Sequence, residues 1–261
     1  PLVMRTVMRY HFNVWQQPST KAMPMADWDA CGQIVDEPAL ARRRCFAGLA
    51  LAQVSDLTAL ALVFPPKDGD PGDVGIYDVL MRFWVPEATV AKNYTYAEYV
   101  RRGLIIPTPG NATRFDYIRD EILKLAARFR IEELAYDRFY AAQLSQELAD
   151  AGLTVVPHGQ GYGGSLLKDP ARGGAPSMEG MSFPTKELIR LVLGHRLRHG
   201  GNAVLRWNAD NLIVLQDAAG NVKPDKSKSS DKIDGIVALI MATGRARRPG
   251  QWLEDVQIRY A

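Results

Sequence analysis

Asp137 closes the run Glu133-Leu134-Ala135-Tyr136-Asp137, which has the pattern of a short central strand. In an open α/β sheet the carboxyl ends of the strands are where ligands gather. Asp137 is therefore a candidate metal ligand or catalytic group, with an N-cap for the following segment as the alternative. Asp231 and Asp234 precede the last apolar segment and are three residues apart, so they share one helical face at an end where the macrodipole favours anions. Capping by one or both is the competing reading. Carboxylate sites of this type hold Mg²⁺ or Mn²⁺, which can activate a water and stabilise the leaving oxygen of an in-line phosphodiester cleavage.

The chain is organised around residues 44–64, two apolar runs joined by a polar turn at Gln53 to Asp56, the pattern of a hairpin in the middle of a sheet. A central strand buried on both faces often carries one acid aimed at a metal. Here the position where it would sit is Ala50, and the nearest carboxylate is Asp56 in the turn.

Other motifs carry less. Gly159-Gln160-Gly161-Tyr162-Gly163-Gly164 satisfies G-x-G-x-x-G after a strand, but more Gly and Pro follow in place of a phosphate-binding helix. No G-x-x-x-x-G-K-[ST] occurs. His195 and His199 are four apart, yet Gly200-Gly201 ends any helix there, and basic surface is preferred over a zinc site. Cys31 and Cys45 give neither metal spacing nor a disulfide framework, which suits a reducing compartment.

The elements that must position these residues follow in order. Residues 1–44, broken by Pro18, Pro24 and Pro38, read as an irregular arm with a strand at Tyr10 to Trp15 and a short helix at Ala26 to Cys31. After the hairpin, Val74 to Val85 makes a third antiparallel strand. A helix at Thr95 to Arg102, a strand at Leu104 to Ile106 and an amphipathic helix from Phe115 to Phe129 come next. The strand ending at Asp137, a helix over Ala141 to Ala151 and a strand at Thr154 to Val156 form a parallel βαβ unit. Residues 159–180 are a long Gly-rich loop; Lys186 to Leu197 and Ala203 to Ala209 are helical, Leu212 to Leu215 is a strand, Lys223 to Asp231 a charged loop, and Ile233 to Arg245 a closing helix. Three antiparallel strands, then parallel strands with flanking helices in a mixed sheet, give a ribonuclease H-like α/β arrangement.

With 261 residues, of which 47% are hydrophobic, the chain can bury a sizeable core, and a net charge of +3 does not by itself demand a polyanion partner. No apolar run approaches the roughly 20 residues of a membrane span, so no membrane partner is expected. The chain begins abruptly at Pro1 and reads as part of something longer.

Taken together, Phe12-Asn13-Val14-Trp15, Trp28-Asp29-Ala30-Cys31, Gly48-Leu49 through Ser55-Asp56-Leu57-Thr58-Ala59-Leu60, Ala135-Tyr136-Asp137-Arg138, Pro184-Thr185-Lys186-Glu187-Leu188, Leu197-Arg198-His199-Gly200-Gly201-Asn202 and Lys223-Pro224-Asp225-Lys226 running into Lys232-Ile233-Asp234-Gly235 resemble, in order, the C-terminal nuclease domain of the large terminase subunit of tailed double-stranded DNA phages. The resemblance implies a ribonuclease H-like nuclease domain over residues 45–249 and a tail at 250–261. Residues 1–44 would connect to an ATPase domain preceding residue 1. It implies two Mg²⁺ or Mn²⁺ ions, held by Asp137 and Asp234 with Asp56 or Asp231 assisting, and cleavage of concatemeric DNA in the host cytoplasm. Lys186, Arg198, Lys223, Lys226 and Lys228 would contact phosphates of double-stranded DNA, with the small terminase subunit and the portal protein as further partners. The first-strand acid of the family falls on Ala50. Deliberate inactivation is favoured over a lineage that lost or moved the ligand, because the surrounding residues still fit. A non-catalytic module that docks the motor to portal or DNA is the rival reading.

Overall fold

The computed structural model describes residues 19–52, 56–66, 75–137, 141–163, 180–229 and 231–247. The strand expected at Tyr10 to Trp15, most of the Gly-rich loop and the C-terminal tail lie outside them. β1 (Ser19–Lys21) and α1 (Met25–Ala30) lead to a single 3-10 turn at Pro38–Leu40. Then come β2 (Arg44–Ala50), β3 (Thr58–Phe64), β4 (Tyr77–Pro86), α2 (Glu87–Val90), α3 (Tyr94–Arg101), β5 (Ile106–Thr108), α4 (Phe115–Arg128), β6 (Arg130–Asp137), α5 (Ala142–Asp150) and β7 (Val155–His158). The chain continues through α6 (Ser182–Leu193), β8 (Leu197–Arg198), α7 (Ala203–Asn211), β9 (Ile213–Gln216) and β10 (Val222–Pro224) to α8 (Asp234–Ala246).

The main sheet has seven strands in the order β5-β4-β3-β2-β6-β7, with β8 paired to β4. β2, β3 and β4 are antiparallel neighbours, while β6 runs parallel to β2 and β7 parallel to β6. Beyond Arg44, β2 is apolar because both faces are covered. Cys45, Ala47 and Leu49 pack with Leu60, Leu62 and residues Ile118, Ile122 and Leu125 of α4. Phe46 and Ala50 face the other way, with Ala59, Ala61, Ala135 and α8. β9 joins β1 and β10 in a separate antiparallel sheet.

All thirteen residues of α8 are buried, consistent with a segment that is apolar on nearly every side. Its approach is set by Gly48, where a Cβ would overlap the Ala238 carbonyl oxygen and come within 2.8 Å of the Ala242 nitrogen.

β10 includes Lys223 and Pro224, expected in a charged loop, and two further elements and one side chain differ from the sequence expectation, each for a local reason. The strand expected at Leu104 to Ile106 lies at Ile106–Thr108, because Leu104 belongs to the end of α3. Gly103, at φ +69°, donates its N–H to Val100 O while Leu104 N–H reaches Tyr99 O, a Schellman ending. α6 starts four residues before the expected Lys186, with Pro184 in its first turn where no N–H is needed, and stops before Gly194. Leu197 and Arg198, expected at or just beyond its end, are strand partners of Tyr77 and Asp78. His199 is the side chain: expected on a basic surface, it is 3% exposed, stacked 4.3 Å from the Trp28 ring, with Nε2 2.9 Å from Trp28 O. That stack fixes α1 against the domain.

Because the Gly48 overlap is with backbone, Gly48→Ala should destabilise the protein by an amount at the upper end of the usual overpacking cost of about 1–3 kcal/mol. Gly163→Ala, whose Cβ meets nothing within 4 Å, should be close to neutral by the same denaturant titration.

Candidate functional site

Strand register sets position 50 beside one candidate acid, Asp137. Gly48 pairs with Ala135 and Leu49 with Tyr136, so the next position along β2 and β6 sets Ala50 beside Asp137. Asp137 is itself paired with His158 of β7. Adjacent strands lie about 4.8 Å apart, so Ala50, Asp137 and His158 form a row about 10 Å wide at the carboxyl ends of three parallel strands. Side chains alternate along a strand, and Ala50 and Ala135 face α8. Asp137, two residues beyond Ala135, therefore faces it too.

α8 runs antiparallel to these strands. Arg245 near its C-terminal end is ion-paired to Glu133 at the start of the Glu133 to Asp137 segment, with both side chains buried. From Glu133 to Asp137 the strand advances about 13 Å, and from Arg245 back to Asp234 the helix advances about 16 Å. Asp234 thus stands at the same end of the sheet, on the side of β3 and β4, since Gly235 abuts Phe83 of β4. Its peptide neighbour is held there: Gly235 N–H donates to Asn208 Oδ1 at 2.7 Å, and Asn208 Nδ2 donates to Val204 O at 3.0 Å within α7. A Cβ at Gly235 would press within 2.6 Å of the Phe83 ring.

Around Asp234 the charges alternate. Asp234 is 4% exposed and its Oδ1 lies 2.5 Å from Lys226 Nζ. Asp56 Oδ1 accepts from Leu57 N–H at 2.7 Å and lies 2.8 Å from Lys232 Nζ. Asp231 is exposed and accepts the Lys232 N–H at 2.9 Å. Burial pushes the Asp234 carboxyl above its ordinary value; Lys226 opposes that rise, Asp56 adds to it and Lys232 opposes it. The buried Tyr96 side chain belongs to the same cluster: burial first, then the charges of Asp56, Asp231 and Asp234, push its phenol above its usual range.

The expected phosphate contacts divide into three groups. Lys226 and Lys228 sit on the loop before α8, shaped by Asp225 Oδ1 accepting from Ser227 N–H at 2.9 Å and Ser227 Oγ at 2.6 Å. Lys223 lies over the Tyr162 ring at 5.0 Å, just past β7, and Lys186 on α6 contributes to lowering the Asp217 carboxyl, after Asn221. Arg198 is elsewhere. Its Nε bonds Asp78 Oδ1 at 2.5 Å, level with Phe64, about 20 Å along the sheet from the Thr58 end where the acids meet. Asp78 also takes Arg43 at 3.0 Å.

Sequence reading passed over Tyr96, Asn208, His158 and Lys232. A basic residue two positions before Asp234 could have been noticed in the sequence; the other three become visible only through helix contacts and strand register. His158 is 1% exposed, and its Nδ1 lies 3.1 Å from Gly159 O.

For two divalent ions the side chains present do not fit. Among the described residues, no three His, Cys, Asp or Glu side chains are gathered to hold a metal. The physical reason lies in two places: position 50 offers a methyl group, and an ammonium group already engages Asp234.

An antiparallel β4-β3-β2 meander continued by parallel β6 and β7, with a C-terminal helix laid across one face and acids at the strand ends, defines a ribonuclease H-like fold. The family described as terminase large subunit, endonuclease domain, matches residues 1–249, and the chain belongs to it. It is 34% identical over 226 residues to the terminase large subunit of Enterobacteria phage HK97, covering 84% of this chain and 40% of that protein. It is 30% identical over 249 residues to protein YmfN of Escherichia coli strain K12, covering 90% of this chain and 50% of the relative. The crystal structure of the HK97 large terminase superposes with a TM-score of 0.73 at 31% identity, over 94% of this chain and 48% of that one. The nuclease domain of the Thermus phage P74-26 large terminase shares the fold at a TM-score of 0.50 and 10% identity, over 87% of this chain and 95% of that one. The chain thus spans half or less of the length of the full relatives. No helix among the described residues is long and apolar enough to cross a membrane.

Because the folded state raises the Asp234 pKa, ionising this group costs stability. The cost is absent below the ordinary value of 3.8 and is fully felt once pH rises through the folded-state value. Asp234→Asn, neutral at every pH, should therefore raise Tm at pH 7, and the gain should fade as pH approaches the ordinary value. Circular-dichroism melts across that range check it; a lower Tm at pH 7 contradicts the sign.

Proposed function

We propose that this chain is the DNA-cutting module of a viral genome-packaging motor, disarmed at position 50. The observation that supports the reading is that strand register sets Ala50 beside Asp137 while α8 carries Asp234 to the same end of the sheet. In the armed form, an acid at 50 would join Asp137 and Asp234 in binding Mg²⁺ or Mn²⁺ for hydrolysis of a phosphodiester in double-stranded DNA. Asp56 and Asp231 would support that set from the hairpin and the loop. As the chain stands, no cleavage step is available to it.

Lys186, Lys223, Lys226 and Lys228 would meet phosphates, giving affinity that falls with salt and carries little base preference, and the contact of Lys226 with Asp234 supports that reading for the loop before α8. Arg198, held by Asp78 at the far end, would reach DNA only if the duplex ran along the sheet. Choice of sequence would come from the small terminase subunit, and the ATPase domain and portal would supply translocation and docking. The rival, a docking module without catalysis, draws on Ala50 and on the ammonium group beside Asp234.

Plasmid nicking in Mn²⁺ or Mg²⁺ separates the two. The chain as it stands should show background nicking, while Ala50→Asp should raise the rate by about 10²-fold or more, and adding Asp137→Asn should return it to background. If Ala50→Asp is folded, binds DNA and remains inert, docking is the better reading.

A further inference from the structure

The carboxylates at the start of α8 already have cations, and those cations are lysines. Asp234 is 4% exposed, so its charge cannot be satisfied by bulk water; Lys226 Nζ, at 2.5 Å, supplies its counter-charge. Lys226 itself is more than half exposed and reaches in from the loop that Asp225 and Ser227 shape. Lys232, at 2.8 Å, does the same for Asp56. Three acids, Asp56, Asp231 and Asp234, thus face two ammonium groups, leaving one formal negative charge beside the row that contains Asp137. An acid at position 50 would add a further buried charge that neither lysine pairs with.

We infer that Lys226 occupies the place of a divalent cation in this chain, so that a metal ion engages Asp234 only by displacing the Lys226 ammonium. Ala50 makes this balance sufficient. With one acid fewer, a single positive charge delivered by a flexible side chain satisfies the buried carboxylate, and the gain from exchanging it for a hydrated divalent ion is small. Displacement would return the ammonium to water at little cost, because most of the side chain is already there. The site is therefore folded without metal and becomes metal-responsive when either side of the balance changes: loss of the ammonium, or gain of an acid.

This inference rests on reading Asp234 as an acid of the nuclease site, but its test reads binding and stability and not cleavage. An inert Ala50→Asp would therefore remove the nuclease reading and leave the lysine question to be decided separately. The full chain is melted in EDTA and in MnCl₂, and Mn²⁺ binding is followed by calorimetry. The unaltered chain and Lys92→Met, which removes an exposed lysine outside the cluster, should melt at the same temperature in both solutions. Lys226→Met should melt lower in EDTA, regain Tm in MnCl₂, and bind Mn²⁺ roughly tenfold or more tightly than the unaltered chain. Lys226→Gln, which keeps a hydrogen-bond donor for Asp234, should fold in EDTA and show the same gain in affinity if the methionine variant does not fold. Ala50→Asp should also acquire a Mn²⁺-dependent rise in Tm. Equal Mn²⁺ affinity in the unaltered chain and in the folded Lys226 variants would overturn the inference.

Discussion

The contact on which the rest of the structure depends is the seating of α8 on β2 at Gly48. Small residues pave that face: Gly48 and Ala50 on β2, Ala59 and Ala61 on β3, Ala135 on β6. They let the helix backbone lie against the strand backbone, close enough that a single methyl group at Gly48 has no room. Large side chains then fill the flanks, with Ile236, Leu239, Ile240 and Met241 all fully buried; each such burial contributes up to about 1.5–3 kcal/mol. The buried Arg245 and Glu133 pair adds little net stability by itself, but breaking it would leave a charge without water, so it selects one position of the helix along the strands. That position carries Asp234 to the end of the sheet at which β2 and β6 finish.

Electrostatics at that end follow from the same seating. A carboxylate in the first turn of a helix is favoured by the exposed N–H groups there, and burial opposes its ionisation. Burial is the largest influence on Asp234, which is why a cation must be near it. Whether that cation is an ammonium or a metal depends on how many acids share the end of the sheet. Ala50 therefore has two physical consequences: it extends the small-residue floor under α8 and it leaves the end of β2 without a charge.

The parts legible in the sequence were those encoded by local pattern. The two apolar runs around Gln53 to Asp56, the amphipathic α4 and the apolar α8 all announce their burial through periodicity, and Asp137 stands out as a candidate because an acid closes a strand. Other features depend on contacts between distant segments. His158 matters through its pairing with Asp137 across a parallel ladder, Asn208 through one hydrogen bond to Gly235, and Tyr96 through the three acids around it. None of these has a spacing that a sequence reader could recognise. His199 misled for a similar reason: among Arg196, Arg198 and two glycines it looks like surface, and only the Trp28 ring makes it core. Arg198 sits in a basic run, but its own charge is directed at Asp78, far from the acids.

The central claim is that position 50, Asp137 and Asp234 bound one site. Crystals of Ala50→Asp soaked in Mn²⁺, with anomalous differences collected at the manganese edge, test it most directly. The account predicts a peak coordinated by the introduced carboxylate together with Asp137 and Asp234, and no such peak in identically soaked crystals carrying Ala50. A folded Ala50→Asp protein with manganese bound elsewhere, or with Asp137 and Asp234 pointing away from residue 50, would contradict it.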